Sequence, residues 1–172
     1  MTNQLTSEVQ SDVFDALASV GYRVMHALGS GSGGHVYKAL QLRTGQIVAV
    51  KLLSLDELDA ELAERRIERF RREIAFCSGL YHPDIVRLID SGELDALRHF
   101  AVFEYIPGQT LASLIAEEGM LRIQRARALM AQLLAPLAYA HSKGIAHRDL
   151  KPSNIMVTTD GARDRVKILD FG

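Results

Sequence analysis

The sequence has little of several features that would narrow its function. Cys77 is its one cysteine, so no disulfide can form within the chain, and a lone thiol fits a reducing cytoplasm. No uncharged apolar run reaches membrane-spanning length, and residues 1–10 lack the basic start and apolar run of a secretory signal. The formal net charge is −1, so nothing argues for a general nucleic-acid or membrane surface.

What is present is an ordinary globular composition. With 172 residues, 48% hydrophobic and 24% charged, the chain is long enough for one domain with a core. We find no internal repeat and no low-complexity segment. Residues 1–21 are interpreted as a leader in which Val9, Val13, Phe14 and Leu17 recur at helical spacing. They predict a short helix that packs loosely on the domain, outside any catalytic machinery.

A glycine-rich hairpin follows the leader. Strands are predicted over residues 22–28 and 36–40, and between them lies Gly29-Ser30-Gly31-Ser32-Gly33-Gly34. Glycines let the backbone approach a ligand and turn its N–H groups toward phosphate oxygens. Taken alone the pattern is weak, and a flexible hairpin is the alternative. The β-rich run that follows separates it from the dinucleotide-binding fingerprint, in which the glycines open a helix.

The next segments predict a strand and a long helix. Lys51 interrupts the β-branched strand at 47–53, either as a lysine reaching solvent or as a ligand-binding cation. The run from Ser54 to Glu57 resembles a capping box for a helix over residues 57–78, which Gly79 ends. Its apolar stripe is Ile67, Phe70, Ile74 and Cys77.

The remaining pattern completes a sheet and then turns helical. Strands predicted at 85–91 and 99–105 give a five-stranded antiparallel sheet with one helix. Helices are predicted at 110–118 and 121–143, the second with a kink at Pro136 and an apolar face of Leu129, Leu133, Leu137 and Ala140. Two short strands at 155–157 and 166–169 are joined by a turn around residues 160–161.

Polar residues capable of chemistry concentrate near the end of the sequence. Asp149 and Asn154 lie five positions apart in a loop stiffened by Pro152, and Asp170-Phe171-Gly172 follows. A carboxylate and a carboxamide are hard oxygen ligands that suit Mg²⁺. No motif predicts a zinc site, and no nucleophile elbow supports a serine hydrolase.

Taken in order, these motifs resemble those of the eukaryotic-type serine/threonine protein kinase family. The resemblance rests on Gly29-x-Gly31-x-x-Gly34-x-Val36, Val48-Ala49-Val50-Lys51, His147-Arg148-Asp149 with Asn154, and Asp170-Phe171-Gly172. It implies an α+β, protein-kinase-like fold: a five-stranded antiparallel N-lobe with one long helix, plus a truncated, mainly helical C-lobe. The implied domains are a leader at 1–21, an N-lobe at 22–103, a hinge at 104–109 and a partial C-lobe at 110–172.

The resemblance also implies an activity and its residues. The activity is transfer of the γ-phosphate of ATP to a protein hydroxyl, with ATP and Mg²⁺ as cofactors. Asp149 would accept the hydroxyl proton, Lys151 would contact the γ-phosphate, and Lys51 would hold the α- and β-phosphates while paired with Glu73. Asn154 and Asp170 would bind the metal. The implied nucleotide-binding residues are Leu28, Gly29, Ser30, Gly31, Ser32, Gly33, Gly34, His35, Val36, Ala49, Lys51, Glu104, Ile106 and Met156.

Three further expectations follow from the resemblance. Gly33 stands where the family often has an aromatic residue, which predicts a looser loop tip. His147 is expected to pack beneath Phe171, in a column with Cys77 and Leu88, rather than to act as a base or metal ligand. The family continues beyond Asp-Phe-Gly with a region that docks protein substrates, so we expect a truncated chain with little activity, weak nucleotide binding and a partly exposed helix at 121–143.

Two alternatives stay open at this point. One is a non-catalytic nucleotide-binding scaffold, which the presence of Lys51, Glu73, Asp149, Asn154 and Asp170 disfavours. The other is a small-molecule phosphotransferase of the same fold, which Lys151-Pro152 after the aspartate disfavours. The predicted partners are therefore ATP and a protein substrate, with no nucleic acid and no membrane segment.

Overall fold

The computed structural model describes residues 12–31, 34–56, 58–161 and 163–171. The chain forms two compact units, one made of residues 1–70 with 88–105 and the other of 71–87 with 106–172. The first contains helix α1 (12–19) and strands β1 (Tyr22–Gly31), β2 (Gly34–Gln41), β3 (Ile47–Ser54), β4 (Leu88–Glu93) and β5 (Arg98–Glu104). Helix α2 (Ala60–Ser78) runs through the sequence boundary between the two units.

The five strands of the first unit form one antiparallel sheet in the order β1-β2-β3-β5-β4. The predicted five-stranded antiparallel sheet is therefore confirmed. The strand bounds differ slightly from the prediction. Strand β4 begins at Leu88 rather than at residue 85, and β5 runs over 98–104 rather than 99–105.

One face of this sheet carries the core of the first unit. Directly paired residues share a face, and the pairs Tyr37 with Val50 and Val50 with Val102 define the buried one. Helix α1 packs on this face, because Val13 and fully buried Leu17 belong to the same cluster. The predicted helix is confirmed at 12–19, but it is part of the core rather than loosely attached.

Helix α2 begins later than predicted. It starts at Ala60, where the Asp59 carboxylate accepts the Leu62 N–H at 2.8 Å as an N-terminal cap. Ser54 lies in β3, and Glu57 falls outside the described residues. The predicted apolar stripe is confirmed: Phe70 and Cys77 are buried, and Ile67 and Ile74 are half-buried.

The second unit contains two helices and a small sheet. Helix α3 is Leu111–Glu118 and helix α4 is Ile123–Ser142, each close to its predicted span. Strands β6 (Gln109–Thr110), β7 (Ile155–Asp160) and β8 (Arg163–Ile168) form an antiparallel sheet in that order. Leu129, Leu133, Pro136 and Ala140 of α4 are buried.

The segment before β4 belongs to this second unit. The N–H of Ile168 donates to the Asp84 carbonyl at 2.9 Å, and the Val86 N–H donates to the Ile168 carbonyl at 2.8 Å. Ile85 thus bridges β8 instead of starting the predicted strand. Among the described residues, none of the helices is both long and apolar enough to cross a membrane.

Candidate active site

The loop between α4 and β7 is anchored at one end by His147. This side chain is buried, and its Nε2 lies 2.8 Å from the Leu169 carbonyl oxygen. Its ring packs against Phe171, with centroids 4.6 Å apart, and Phe171 is fully buried. The packing of His147 on Phe171 is as the sequence predicted, and it fixes the loop to the segment that contains Asp170.

Asp149 lies at the centre of a short hydrogen-bond network. Its Oδ2 accepts from the Lys151 Nζ at 2.7 Å and from the Asn154 Nδ2 at 3.3 Å. The same Asn154 amide donates to the Asp149 main-chain carbonyl at 2.9 Å. The hydrogen bond from Lys151 is the largest cause that lowers the pKa of Asp149 below its ordinary value. The carboxyl is therefore ionised at neutral pH.

Backbone geometry at this loop is unusual at two positions. Arg148 has φ of 61° and Asp170 has φ of 42°, the left-handed region that residues other than glycine adopt rarely. Arg148 is exposed, whereas Asp170 is half-buried. Such conformations persist where the surrounding structure fixes them, and they concentrate at functional sites. Arg148 directly precedes Asp149, and Asp170 is itself one of the two carboxylates that the sequence singles out.

Asn154 and Asp170 are brought together by the β7–β8 hairpin. Asn154 directly precedes β7, and Asp170 follows β8 by two positions. The Leu169 N–H donates to the Asn154 carbonyl at 2.9 Å, which continues the pairing of the two strands. The structure therefore places both predicted metal ligands at the open end of one hairpin.

Two oxygen ligands from Asn154 and Asp170 suit Mg²⁺, whereas a metal ion that needs many protein ligands would not be satisfied by them. The Asn154 amide nitrogen is committed to Asp149, so the carboxamide oxygen is the atom it offers to a cation. No group of three His, Cys, Asp or Glu residues suited to a metal occurs within the described ranges. Magnesium usually keeps several waters and takes few protein ligands beside substrate phosphates.

In the first unit, Lys51 lies on the sheet face opposite the core. Its cross-strand partners are Val36 on β2 and Ala101 on β5, while Ala49 faces Phe103. Successive strand residues alternate between faces, so Val36, Ala49 and Lys51 share one face, away from α1. Lys51 is only 8% exposed. The structure thus brings together three of the predicted nucleotide-binding residues.

The glycine-rich hairpin is paired almost to its tip. Gly29 pairs with Val36, Ser30 with His35 and Gly31 with Gly34. Leu28, Gly29, Ser30 and His35 are exposed. Ser32 and Gly33 lie outside the described residues, so the predicted loose tip stays a prediction.

Glycine occurs at positions 29 and 34 for different structural reasons. A Cβ built on Gly34 would lie 2.1 Å from the Leu52 carbonyl oxygen, and its φ is +110°, so only glycine fits there. A Cβ on Gly29 would meet nothing within 4 Å. Gly34 is required by the fold, whereas the open space at Gly29 is compatible with a ligand approaching the backbone.

The remaining predicted residues lie on both units. Glu73 is half-buried on α2, one turn before Cys77, and Glu104 ends β5 opposite Val48. In the second unit, Ile106 is half-buried, and Met156 on β7 pairs with Thr110 and Lys167. The roles of these residues, and the pairing of Glu73 with Lys51, stay predictions.

Sequence reasoning missed some residues that position this site. Gln132 and Arg125 on α4 bind β8 through their side chains. Strand β6, only two residues long, was also missed, because two residues show no periodicity. The only sequence signal for Gln132 is that it is a polar residue between Ala131 and Leu133, and Arg125, next to Gln124, has no comparable signal.

Comparison with known proteins identifies the family to which this fold and loop belong. The model of the protein kinase domain matches residues 22–172. Serine/threonine-protein kinase pkn3 of Myxococcus xanthus is 38% identical over 152 residues, which is 88% of this chain and 27% of that protein. Serine/threonine-protein kinase PrkC of Bacillus subtilis is also 38% identical over 152 residues, or 22% of its own length.

Similarity extends to eukaryotic proteins. Cell division control protein 2 homolog 3 of Trypanosoma brucei brucei is 36% identical over 172 residues, covering all of this chain and 51% of that protein. The chain belongs to the protein kinase family, and its curated relatives place it with the serine/threonine protein kinases. It spans about a quarter of the length of the two bacterial relatives.

Proposed function

We propose that this chain binds Mg-ATP and supplies the catalytic loop of a protein serine/threonine kinase, which transfers the γ-phosphate to a protein hydroxyl. The observation that carries the proposal is the network in which the Asp149 carboxylate accepts hydrogen bonds from Lys151 and Asn154. An ionised carboxylate beside an ammonium group suits a reaction that removes a hydroxyl proton and places negative charge on phosphate oxygens.

Each residue of the loop has a defined task in this proposal. Asp149 orients the substrate hydroxyl and accepts its proton, and its lowered pKa keeps it ionised for that purpose. Lys151, 2.7 Å from Asp149, neutralises charge on the transferring phosphoryl group. Asn154 and Asp170 would hold Mg²⁺, which when bound neutralises charge on the phosphate oxygens.

The remaining predicted residues supply the nucleotide contacts in this proposal. Lys51 holds the α- and β-phosphates with Glu73 as its partner, and the hairpin backbone from Gly29 to Gly34 covers the phosphates. Main-chain groups of Glu104 and Ile106 bind the adenine edge, and Met156 with Ala49 packs on the base. Support comes from the shared sheet face of Val36, Ala49 and Lys51. A cytoplasmic location stays a prediction.

A phosphotransfer assay on the full-length protein tests this proposal. Asp149→Asn removes the proton acceptor but keeps a similar shape, so transfer from radiolabelled ATP to a protein substrate should fall at least ~100-fold. Asp15→Asn, exposed on α1, is the matched control and should react like the wild type. A panel that includes peptides and small alcohols identifies the substrate class. Undiminished transfer by Asp149→Asn would contradict the assigned role, and transfer to alcohols alone would favour a small-molecule phosphotransferase.

A further inference from the structure

The separation of the two predicted metal ligands depends on the register of one hairpin. Ile155, which follows Asn154, pairs with Ile168, and Asp170 comes two residues later. A slip of one residue between β7 and β8 would turn every following side chain to the opposite face of the sheet. Whatever holds β8 in register therefore determines where Asp170 lies relative to Asn154.

Strand β8 is the edge of its sheet, so one side of its backbone lacks a strand partner. The outward groups belong to alternate residues: Asp164, Val166 and Ile168. At Ile168 the N–H and carbonyl are bonded to Asp84 and Val86. Unpaired main-chain groups at an edge favour slippage or pairing with another chain unless something else binds them.

The side chain of Gln132 binds two more of these outward groups. Its Nε2 donates to the Asp164 carbonyl at 3.1 Å, and its Oε1 accepts from the Val166 N–H at 3.2 Å. One carboxamide thus makes the two hydrogen bonds that the N–H and carbonyl of a single residue on a parallel neighbouring strand would make. The same Nε2 donates to the Ala128 carbonyl at 3.2 Å, which fixes the amide relative to helix α4.

A second contact from the same helix requires the same register. Arg125 donates from its Nε to one oxygen of the Asp164 carboxylate at 2.6 Å and from Nη2 to the other at 3.2 Å. A shift of β8 along its axis would break this bidentate pair together with both Gln132 bonds. The two side chains select one register, and the Gln132 carboxamide does so through the backbone itself.

We propose that Gln132 is a positioning residue for the metal-binding end of the β7–β8 hairpin. It holds β8 in register and thereby keeps Asp170 beside Asn154 in the geometry that binds a divalent cation. This inference rests on the proposed function, because it requires that Asn154 and Asp170 bind Mg²⁺. It assigns Gln132 a role that involves no contact with substrate or metal.

The test measures metal binding directly on the chain. Mn²⁺ is titrated in the presence of a non-hydrolysable ATP analogue, and bound Mn²⁺ is counted by electron paramagnetic resonance. Gln132→Met keeps the side-chain volume and removes both hydrogen bonds to β8. We expect roughly three- to tenfold weaker Mn²⁺ binding, corresponding to one or two lost hydrogen bonds, and faster hydrogen exchange at the Val166 amide. Gln124→Met, exposed on the same helix, is the matched control and should match the wild type.

Circular dichroism shows whether Gln132→Met folds, and a second variant, Gln132→Glu, is used if it does not. The carboxylate of Gln132→Glu accepts from the Val166 N–H but cannot donate to the Asp164 carbonyl, so Mn²⁺ binding should weaken here too. Wild-type Mn²⁺ affinity in a folded Gln132 variant, even with faster exchange at Val166, would overturn the inference and leave the proposed function standing. Failure of the wild type to bind Mn²⁺ with the analogue would overturn both.

Discussion

Tyr22 on β1 donates a 2.6 Å hydrogen bond from its hydroxyl to Oδ2 of Asp90 on β4, and these strands are the two edges of the five-stranded sheet. A side-chain hydrogen bond therefore links the two edge strands. Tyr22 is buried, its ring lies 5.9 Å from that of Phe100 between centroids, and its hydroxyl also accepts from the Gln41 Nε2 at 3.4 Å. The hydrogen bond thus joins a buried tyrosine to an exposed carboxylate.

Tyr22→Phe tests this contact, because it removes the hydroxyl and keeps the ring. Hydrogen bonds to charged groups contribute about 1.5–3 kcal/mol, so the free energy of unfolding should fall by roughly that amount. Urea unfolding followed by circular dichroism measures it. Tyr81→Phe, on a ring that is 79% exposed, should change the stability by less than about 0.5 kcal/mol. Equal stability of Tyr22→Phe and the wild type would show that the edge contact contributes nothing.

The same residue predicts a loss of stability at alkaline pH. Burial, and next the hydrogen bond to Asp90, raise the pKa of Tyr22 above its ordinary value of 10.0. Because the folded-state pKa is raised, the contribution is complete below pH 10 and is lost as pH rises through the folded-state pKa. The stability of Tyr22→Phe should therefore fall less steeply above pH 10 than that of the wild type, in matched urea titrations.

Helix α1 gives a third prediction, because it closes the core of the first unit. Leu17 is fully buried, and Phe14 meets the Tyr37 ring edge to face with centroids 5.4 Å apart. Leu17→Ala should lower the free energy of unfolding by about 3 kcal/mol through lost burial and the remaining cavity. Asp15→Ala, exposed on the same helix, is the control. If Leu17→Ala unfolds at the wild-type urea concentration, α1 is not part of the core.

The sequence predicted most of this fold from local patterns. Alternating β-branched runs and the stripe of Phe70 and Cys77 gave the sheet and α2, because each pattern repeats within one element. The contribution of α1 to the core was not predictable, since Val13 and Leu17 show helical spacing but not the surface they meet. The capping prediction at residue 57 was wrong because a strand, β3, continues through Ser54 and Asp59 supplies the cap instead.

The different roles of Gly29 and Gly34 in the hairpin can be separated by experiment. Gly34→Ala forces a Cβ to within 2.1 Å of the Leu52 carbonyl oxygen at a φ of +110°. We expect a loss of about 2–5 kcal/mol of stability from strain and overpacking. Gly29→Ala meets open space and should fold with wild-type stability while weakening binding of a fluorescent ATP analogue. Equal stability of the two variants would contradict the structural role of Gly34.

Within the candidate site, the sequence pointed to the polar residues of the motifs but not to the residues that hold the surrounding strands in place. The sequence singled out Asp149, Asn154 and Asp170 because their residue types and spacing match a motif, and their roles stay predictions. Gln132 was not, because a glutamine within a helix carries no signal of its partner, and its partners are backbone groups 32 and 34 residues away. The Tyr22 bond to Asp90 spans 68 residues and was unpredictable for the same reason. Long-range polar contacts of this kind produce no periodic pattern in the sequence from which they could be predicted.

The last prediction concerns the charge state of Asp149. The hydrogen bond from Lys151 is the largest cause that lowers the pKa of Asp149 below its ordinary value of 3.8, and the Asn154 amide contributes less. Lys151→Met should therefore raise this pKa toward the ordinary value, and Asn154→Ala should raise it by a smaller amount. Carbon-13 NMR of the Asp149 side-chain carboxyl, titrated through the acid range, measures each shift. Lys143→Met, another exposed lysine near the end of α4, should leave the titration unchanged. A wild-type titration at or above the ordinary value would show that the Lys151 contact does not persist in solution, and it would remove the observation on which the proposed role of Asp149 depends.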